Sequence, residues 1–246
     1  KERRNFWLEF DIRNHFKLGP VKYHNVVASI KGTKYPDEYV IISGHLDSYD
    51  VATGGIDCGT GIGPMMEAAR MIALSGAKPK RTILFVAFAG EEFGLLGAKA
   101  YVKTHAKELG KIANLFNRDG GPTPPVGISV PQAMYDDFVE VCKPVKEIRA
   151  DYPFEVKVAK PFKRPTQSGG TDASVFAVEG VPTFGFNTQD IKGYNFSYGE
   201  IWHTERDLYT KNIPEYQEHA ATVTAVVALG IANLSKQLSR EGMHKK

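Results

Sequence analysis

Short apolar runs rich in β-branched residues alternate along this chain with longer stretches whose apolar residues recur at helical spacing, and that alternation leaves few folds open. It predicts an α/β architecture: a mixed, mostly parallel sheet flanked by helices on both faces. Val26 to Ile30, Tyr39 to Ser43 and Thr82 to Ala89 read as strands, and Gly61 to Leu74 as a helix that Lys78-Pro79-Lys80 closes off. A helix over Glu91 to His105 and a strand near Ile112 to Asn117 follow. Beyond the loop Gly120-Gly121-Pro122-Thr123-Pro124-Pro125, the pattern gives a helix near Gln132 to Val145 and a strand near Phe154 to Val158. A short helix from Thr171-Asp172 to Val178, a strand over Pro182 to Phe186 and a long helix over Pro214 to Leu238 complete it. Pro214 suits a first helical turn, where a missing N–H costs nothing.

Polar residues gather where the predicted strands end. His45 and Asp47 follow the strand at Tyr39, Glu91 and Glu92 follow the one at Thr82, and Asp119 follows the one at Ile112. Open α/β sheets bind their ligands at the carboxyl ends of strands, so this coincidence directs attention to one rim.

With 246 residues, 42% of them hydrophobic, the chain can bury a substantial core within one domain, residues 1–246. Lys and Arg number 31 against 28 Asp and Glu, with the signs mixed along the chain. Such a balance asks for no nucleic acid and no anionic membrane. No apolar run approaches the roughly 20 residues of a bilayer span, and no signal peptide is visible. Cys58 and Cys142 are too few for a disulfide framework. The charged run Lys1-Glu2-Arg3-Arg4 leads directly into the strand-like Asn5 to Ile12, an abrupt start that reads as a cut, with an upstream segment missing.

Five segments carry the chemistry: Ser43-Gly44-His45-Leu46-Asp47-Ser48, Gly55-Ile56-Asp57-Cys58-Gly59-Thr60-Gly61, Gly90-Glu91-Glu92-Phe93-Gly94, Asn117-Arg118-Asp119-Gly120 and Trp202-His203-Thr204-Glu205-Arg206-Asp207. In that order they resemble the metal-site motifs of the two-zinc (co-catalytic) aminopeptidase family, most closely its plasma glutamate carboxypeptidase branch. The resemblance runs from about Asn25 to the last helix, and the ordered set is far more specific than any one motif. It implies a zinc-exopeptidase (phosphorylase/hydrolase-like) fold, two Zn²⁺ per chain and a peptide or dipeptide substrate. It leaves room for a homodimer, implies an extracellular or periplasmic setting, and places a protease-associated domain upstream of the strand that begins this chain.

Carried over position by position, the resemblance makes His45 and Asp119 ligands of one metal, Glu92 and His203 ligands of the other, and Asp57 the bridge. Imidazole and carboxylate donors with open positions suit catalytic zinc. Two divalent cations against three carboxylates and one hydroxide leave a neutral core, which can be buried. Asp47 is placed to accept the second ring N–H of His45 and fix its tautomer. Successive helical residues point about 100° apart, so with Glu92 on a metal, Glu91 can lean over the attacking water as general base and pass the proton to the leaving amine. Asp172, in Ser168-Gly169-Gly170-Thr171-Asp172, resembles the glycine-flanked aspartate that walls the family's site and supports pocket or ligands by hydrogen bonds.

Each residue has a structural reading too. Glu91 and Glu92 would be favourable charges on a helix's first turn, while Asp57 and Asp119 would suit turns beside glycine. Taken singly, the turn reading wins for both aspartates; in the five-motif order the metal reading does. Gly59-Thr60-Gly61-Ile62-Gly63 has the wrong spacing for a dinucleotide loop. Lys160, Lys163 and Arg164 read as a solvated loop rather than a clamp for a substrate carboxylate. Cys58 stands where the family has Asp or Asn, and a thiolate there could compete for zinc. The family's oxyanion tyrosine has no counterpart in Pro165-Thr166-Gln167-Ser168; Tyr194 and Tyr198 are the substitutes at hand. The leading expectation is a metallo-exopeptidase of aminopeptidase, dipeptidase or carboxypeptidase type. The alternatives are a non-catalytic binding module on the same fold and a one-zinc glutaminyl cyclase.

Overall fold

The computed structural model describes residues 6–15, 17 and 19–245. Its centre is a four-stranded sheet in the order β1 (Val26–Ile30), β3 (Arg81–Phe88), β2 (Tyr35–His45), β4 (Ile112–Asn117). β2 runs parallel to both β3 and β4, and β1 lies antiparallel on β3. Alternate residues of a strand face opposite sides, and here both sides are apolar. Val40 and Ile42 of β2 enter one core with Ile83, Phe85 and Ala87 of β3 and Phe116 of β4. Ile41 enters the other with Val86, Phe88, Ile112 and Leu115. A strand buried on both faces must read as a continuous apolar run, which is why these strands were legible.

Two helices, α1 (Gly59–Leu74) and α5 (Pro214–Asn233), pack on the first face; α2 (Leu96–Thr104) and α4 (Asp172–Val178) cover the second. A three-stranded sheet extends the architecture in the order β6 (Glu155–Ala159), β5 (Pro125–Pro131), β8 (Phe186–Thr188), with α3 (Tyr135–Ile148) against β6 and α5. The expected mixed, mostly parallel arrangement with helices on both faces is what forms. A short parallel pair, β7 (Phe162–Lys163) and β9 (Met243–Lys245), closes the list of strands among the described residues.

Several elements differ from the sequence pattern. The helix expected from Glu91 begins only at Leu96, because Gly90 and Gly94 take φ of 71° and 106° and Leu95 is left-handed at 62°. The strand expected over Pro182 to Phe186 contributes one bridge, Thr183 to Leu115, before β8 begins at Phe186. α5 ends at Asn233 rather than Leu238, and β5 has no counterpart in the sequence pattern. Residues 6–12 of the strand-like N-terminal stretch take no regular structure; Asn5 and the run Lys1 to Arg4 lie outside the described residues. No described helix is long and apolar enough to cross a membrane.

Candidate metal centre

Because β2, β3 and β4 run parallel, their carboxyl ends open on the same rim, and the residues just beyond them meet there. His45 is the last residue of β2, Glu91 and Glu92 leave β3, and Asp119 leaves β4. Asp57 arrives just before α1, from a glycine-rich loop pressed against the segment around Asp207. A Cβ on Gly55 would stand 2.3 Å from the main-chain atoms of Leu208 and Tyr209, so only glycine lets the two strands of chain touch. A Cβ on Gly61 would stand 2.1 Å from the Arg118 carbonyl oxygen. Close approach, not phosphate binding, explains that glycine.

Five expected ligands converge. His45 Nε2 lies 2.9 Å from Asp57 Oδ1 and 3.4 Å from Asp119 Oδ1. On the other side, His203 Nε2 lies 3.0 Å from Glu92 Oε2 and 3.9 Å from Asp57 Oδ2. Asp57 therefore turns one oxygen to each group. Ligand atoms of His45, Asp57 and Glu92 all fall within 4.8 Å of one another, as do those of His45, Cys58 and Asp119. The Asp57–Cys58 peptide bond is cis.

A divalent cation fits this donor set. Glu92 Oε1 and both carboxylate oxygens of Asp172 are buried with no hydrogen-bond partner among the described residues, and buried carboxylates need a countercharge. Burial disfavours a charged imidazole at His45, yet the Asp119 and Asp57 carboxylates outweigh it and raise its pKa. A cluster that draws a proton onto a buried ring draws cations. Burial, reinforced by Asp119, pushes Glu91 up to about 8, and burial pushes Asp172 up to about 7. Glu91 and Glu92 part at a turn rather than on a helix, so the helical account of their divergence does not apply.

Asp47 does more than steady a ring. The His45 Nδ1 sits 2.9 Å from the main-chain oxygen of Asp47, whereas the Asp47 carboxylate is 3.8 Å away. That carboxylate instead accepts the amides of Glu91 and Glu92, at 3.1 and 3.0 Å. Glu91 and Glu92 lie in the turn that precedes α2, where helical residues were expected, and there both amides face one carboxylate. The Asp172 carboxylate, fully buried at the start of α4, accepts no hydrogen bond among the described residues, so the expected hydrogen-bonded support is not seen.

Sequence reasoning missed two supports, and for a third residue, Tyr198, it offered an oxyanion role without the contact the residue makes. Asp207, almost fully buried, accepts the amides of Ile56 and Asp57. Arg118 is half-buried; its guanidinium donates to the carbonyls of Thr60, Gly121 and Thr123 and ties the Asp119 turn to α1. Tyr198 donates its hydroxyl to Asp57 Oδ2 at 3.1 Å, while Tyr194 is bonded to Glu215. Both Asp207 and Arg118 lie inside the quoted motifs, so position alone marked them. Cys58 and Cys142 are free and buried; Cys58 Sγ donates to the Arg118 carbonyl at 3.0 Å.

Four of the five expected ligands, Asp57, Glu92, Asp119 and His203, border a cavity of about 460 Å³ that also holds Glu91, Lys99, Tyr198 and Trp202. His203 is clamped between the rings of Tyr49 and Trp202, at 4.3 and 4.2 Å between centroids. Larger cavities of about 740 and 540 Å³ contain none of the expected ligands. Lys163 borders the first of these, and Arg164 donates to the Val178 carbonyl, so the basic run stands apart from the metal rim.

The model of peptidase family M28 matches residues 25–227. Carboxypeptidase Q of Rattus norvegicus is 32% identical over 231 residues, covering 92% of this chain and 46% of its own length. Among solved structures, a peptidase M28 precursor from Shewanella amazonensis SB2B superposes with a TM-score of 0.72 and 34% identity, over 87% of this chain and 46% of that one. BSAP, a zinc aminopeptidase from Bacillus subtilis, superposes at 0.65 with 21% identity, over 90% of this chain and 53% of its own, a likeness of fold. The chain spans about half the length of the curated relatives it matches.

Proposed function

The chain belongs to peptidase family M28, and we propose that it is the catalytic part of an exopeptidase that holds two zinc ions and hydrolyses terminal peptide bonds. In this reading His45 and Asp119 hold one ion, Glu92 and His203 the other, and Asp57 joins them. The observation that carries it is the Asp57 carboxylate, which turns Oδ1 to His45 and Oδ2 towards His203. Imidazole and carboxylate donors are those zinc takes in hydrolytic sites. When bound, the ions would supply Lewis acidity for the scissile carbonyl and lower the pKa of a bound water towards about 7.

The chain's own groups then divide the remaining work. Glu91 lines the cavity without belonging to either ligand group, and burial keeps its carboxyl ready to hold a proton. It takes that proton from the attacking water and delivers it to the leaving amine. Asp47 aims the base by gripping the amides of Glu91 and Glu92. Tyr198, whose proton burial and the Asp57 charge retain, lines the cavity beside Asp57 and is the candidate oxyanion donor.

The convergence of five expected ligands, four of them bordering the cavity that Glu91 also lines, favours this reading over a non-catalytic binding module or a one-zinc cyclase. An extracellular or periplasmic setting rests on the family resemblance. The test is a panel of short peptides with each terminus blocked in turn, assayed with added Zn²⁺ beside elemental analysis. Turnover with two zinc per chain is the expected result. Absence of turnover on every peptide by the zinc-loaded, full-length protein would overturn it.

A further inference from the structure

We propose that Lys99 is the specificity-determining residue of the cavity and binds a carboxylate of the substrate; the inference rests on the exopeptidase reading above. Lys99 lies on α2 and lines the same cavity as Glu91 and four of the expected ligands. Of the residues that border it, Lys99 alone carries a permanent positive charge. Its ammonium enters no hydrogen bond or ion pair among the described residues, although four carboxylates share the cavity. Other lysines beside acids do pair, as Lys192 does with Glu215 and Lys157 with Glu155.

Counting the charges decides which end of a peptide suits the cavity. Three of the four carboxylates, Asp57, Glu92 and Asp119, are engaged as ligands, and the fourth, Glu91, is the base. No acid is left to pair with a free amino terminus, whereas one ammonium is free to pair with a carboxylate. Lys99 is exposed at the edge of the cavity, and a lysine on a flexible four-carbon stem is a movable point charge; a peptide lying in the cavity would cover it, and a charge-assisted hydrogen bond withdrawn from water outweighs one at the open surface. Losing such a bond costs about ten- to a hundredfold in affinity.

The experiment compares the full-length, zinc-loaded protein with Lys99→Met and Lys99→Arg on the dipeptide Ala-Leu, its C-terminal amide, and Ala-Glu amide. On Ala-Leu, Lys99→Met is expected to lose about ten- to a hundredfold in kcat/KM, mostly through KM. Its loss on Ala-Leu amide is at least about tenfold smaller, and Lys99→Arg recovers much of the difference. Sensitivity confined to Ala-Glu amide would assign the lysine to an acidic side chain instead of the terminal carboxylate, within the same chemistry. Equal turnover of Ala-Leu and Ala-Glu amide with Ala-Leu amide by the wild type, or a preference that survives Lys99→Met, would overturn the proposal. Calorimetric titration of Ala-Leu and its amide into Glu91→Gln, with and without Lys99→Met, reads binding without turnover. If the wild type cleaves no peptide, the exopeptidase reading falls, and the titration still decides: tighter binding of the free acid, lost with Lys99→Met, supports Lys99, and equal or absent binding rejects it.

Discussion

Asp207 grips the backbone of Asp57 across 150 residues of chain, its Oδ2 accepting the Asp57 amide at 3.1 Å while Oδ1 takes that of Ile56 at 2.7 Å. The carboxylate that faces both histidines is thus aimed from outside its own loop. In Asp207→Asn one oxygen becomes a donor that meets an amide, and a buried N–H loses its acceptor at a cost of about 1 to 3 kcal/mol. Urea melts should show that loss, and zinc affinity should fall about 10- to 100-fold, as expected when the support of a ligand is removed. Wild-type zinc affinity in the variant would show that Asp207 does not hold Asp57 in place.

Asp47 separates aim from ligation. In Asp47→Ala the Glu91 and Glu92 amides lose their common acceptor, and the base loses its direction. The ring of His45 keeps its bond to the main-chain oxygen at position 47. We expect kcat to fall more than zinc content does, by about 10-fold or more. Parallel assays of turnover and bound metal check this; equal losses of both would reject it.

Glu91→Gln removes the proton acceptor and leaves the five ligands intact. The variant should keep its zinc and lose about 10²- to 10⁴-fold in kcat, whereas His203→Ala should lose metal. Elemental analysis beside single-turnover kinetics distinguishes them. Near-normal turnover by Glu91→Gln would remove Glu91 from the role of base.

Acid sensitivity has a source far from the metal rim. His219 is fully buried, stacks on Tyr152 at 3.9 Å and meets the Pro125 carbonyl oxygen through Nε2 at 2.8 Å. Burial pushes its pKa down to about 4 from 6.5. Both states are neutral above about pH 6.5; below it the unfolded chain takes up a proton that the folded one refuses, so stability falls as pH drops towards about 4. The full effect is at most roughly 3 kcal/mol. His219→Phe should be less stable at pH 7.5 but lose less on going to pH 5. An unchanged difference between variant and wild type at the two pH values would contradict this.

The strands were legible because β2, β3 and β4 are buried on both faces, which forces unbroken apolar runs. The proposed ligands could be picked out because they lie just beyond those strands or within short motifs. The start of α2 was not, since Glu91 and Glu92 fit a helical pattern as well as a turn, and three positive-φ residues decide between them. β5 was missed because its Val126-Gly127-Ile128-Ser129-Val130 core sits among prolines and glycines that read as loop.

The sequence by itself determined the alternation of strand and helix, and with it a rim on which polar residues must collect. Only the tertiary structure decided that Asp57 faces two histidines at once, that Asp207 and Asp47 hold main-chain amides rather than cations or rings, and that Lys99 enters the cavity unpaired. The reason is physical. Periodicity is a property of neighbouring residues and is written in local order, whereas a hydrogen bond between positions 57 and 207 exists only after the chain has closed around both.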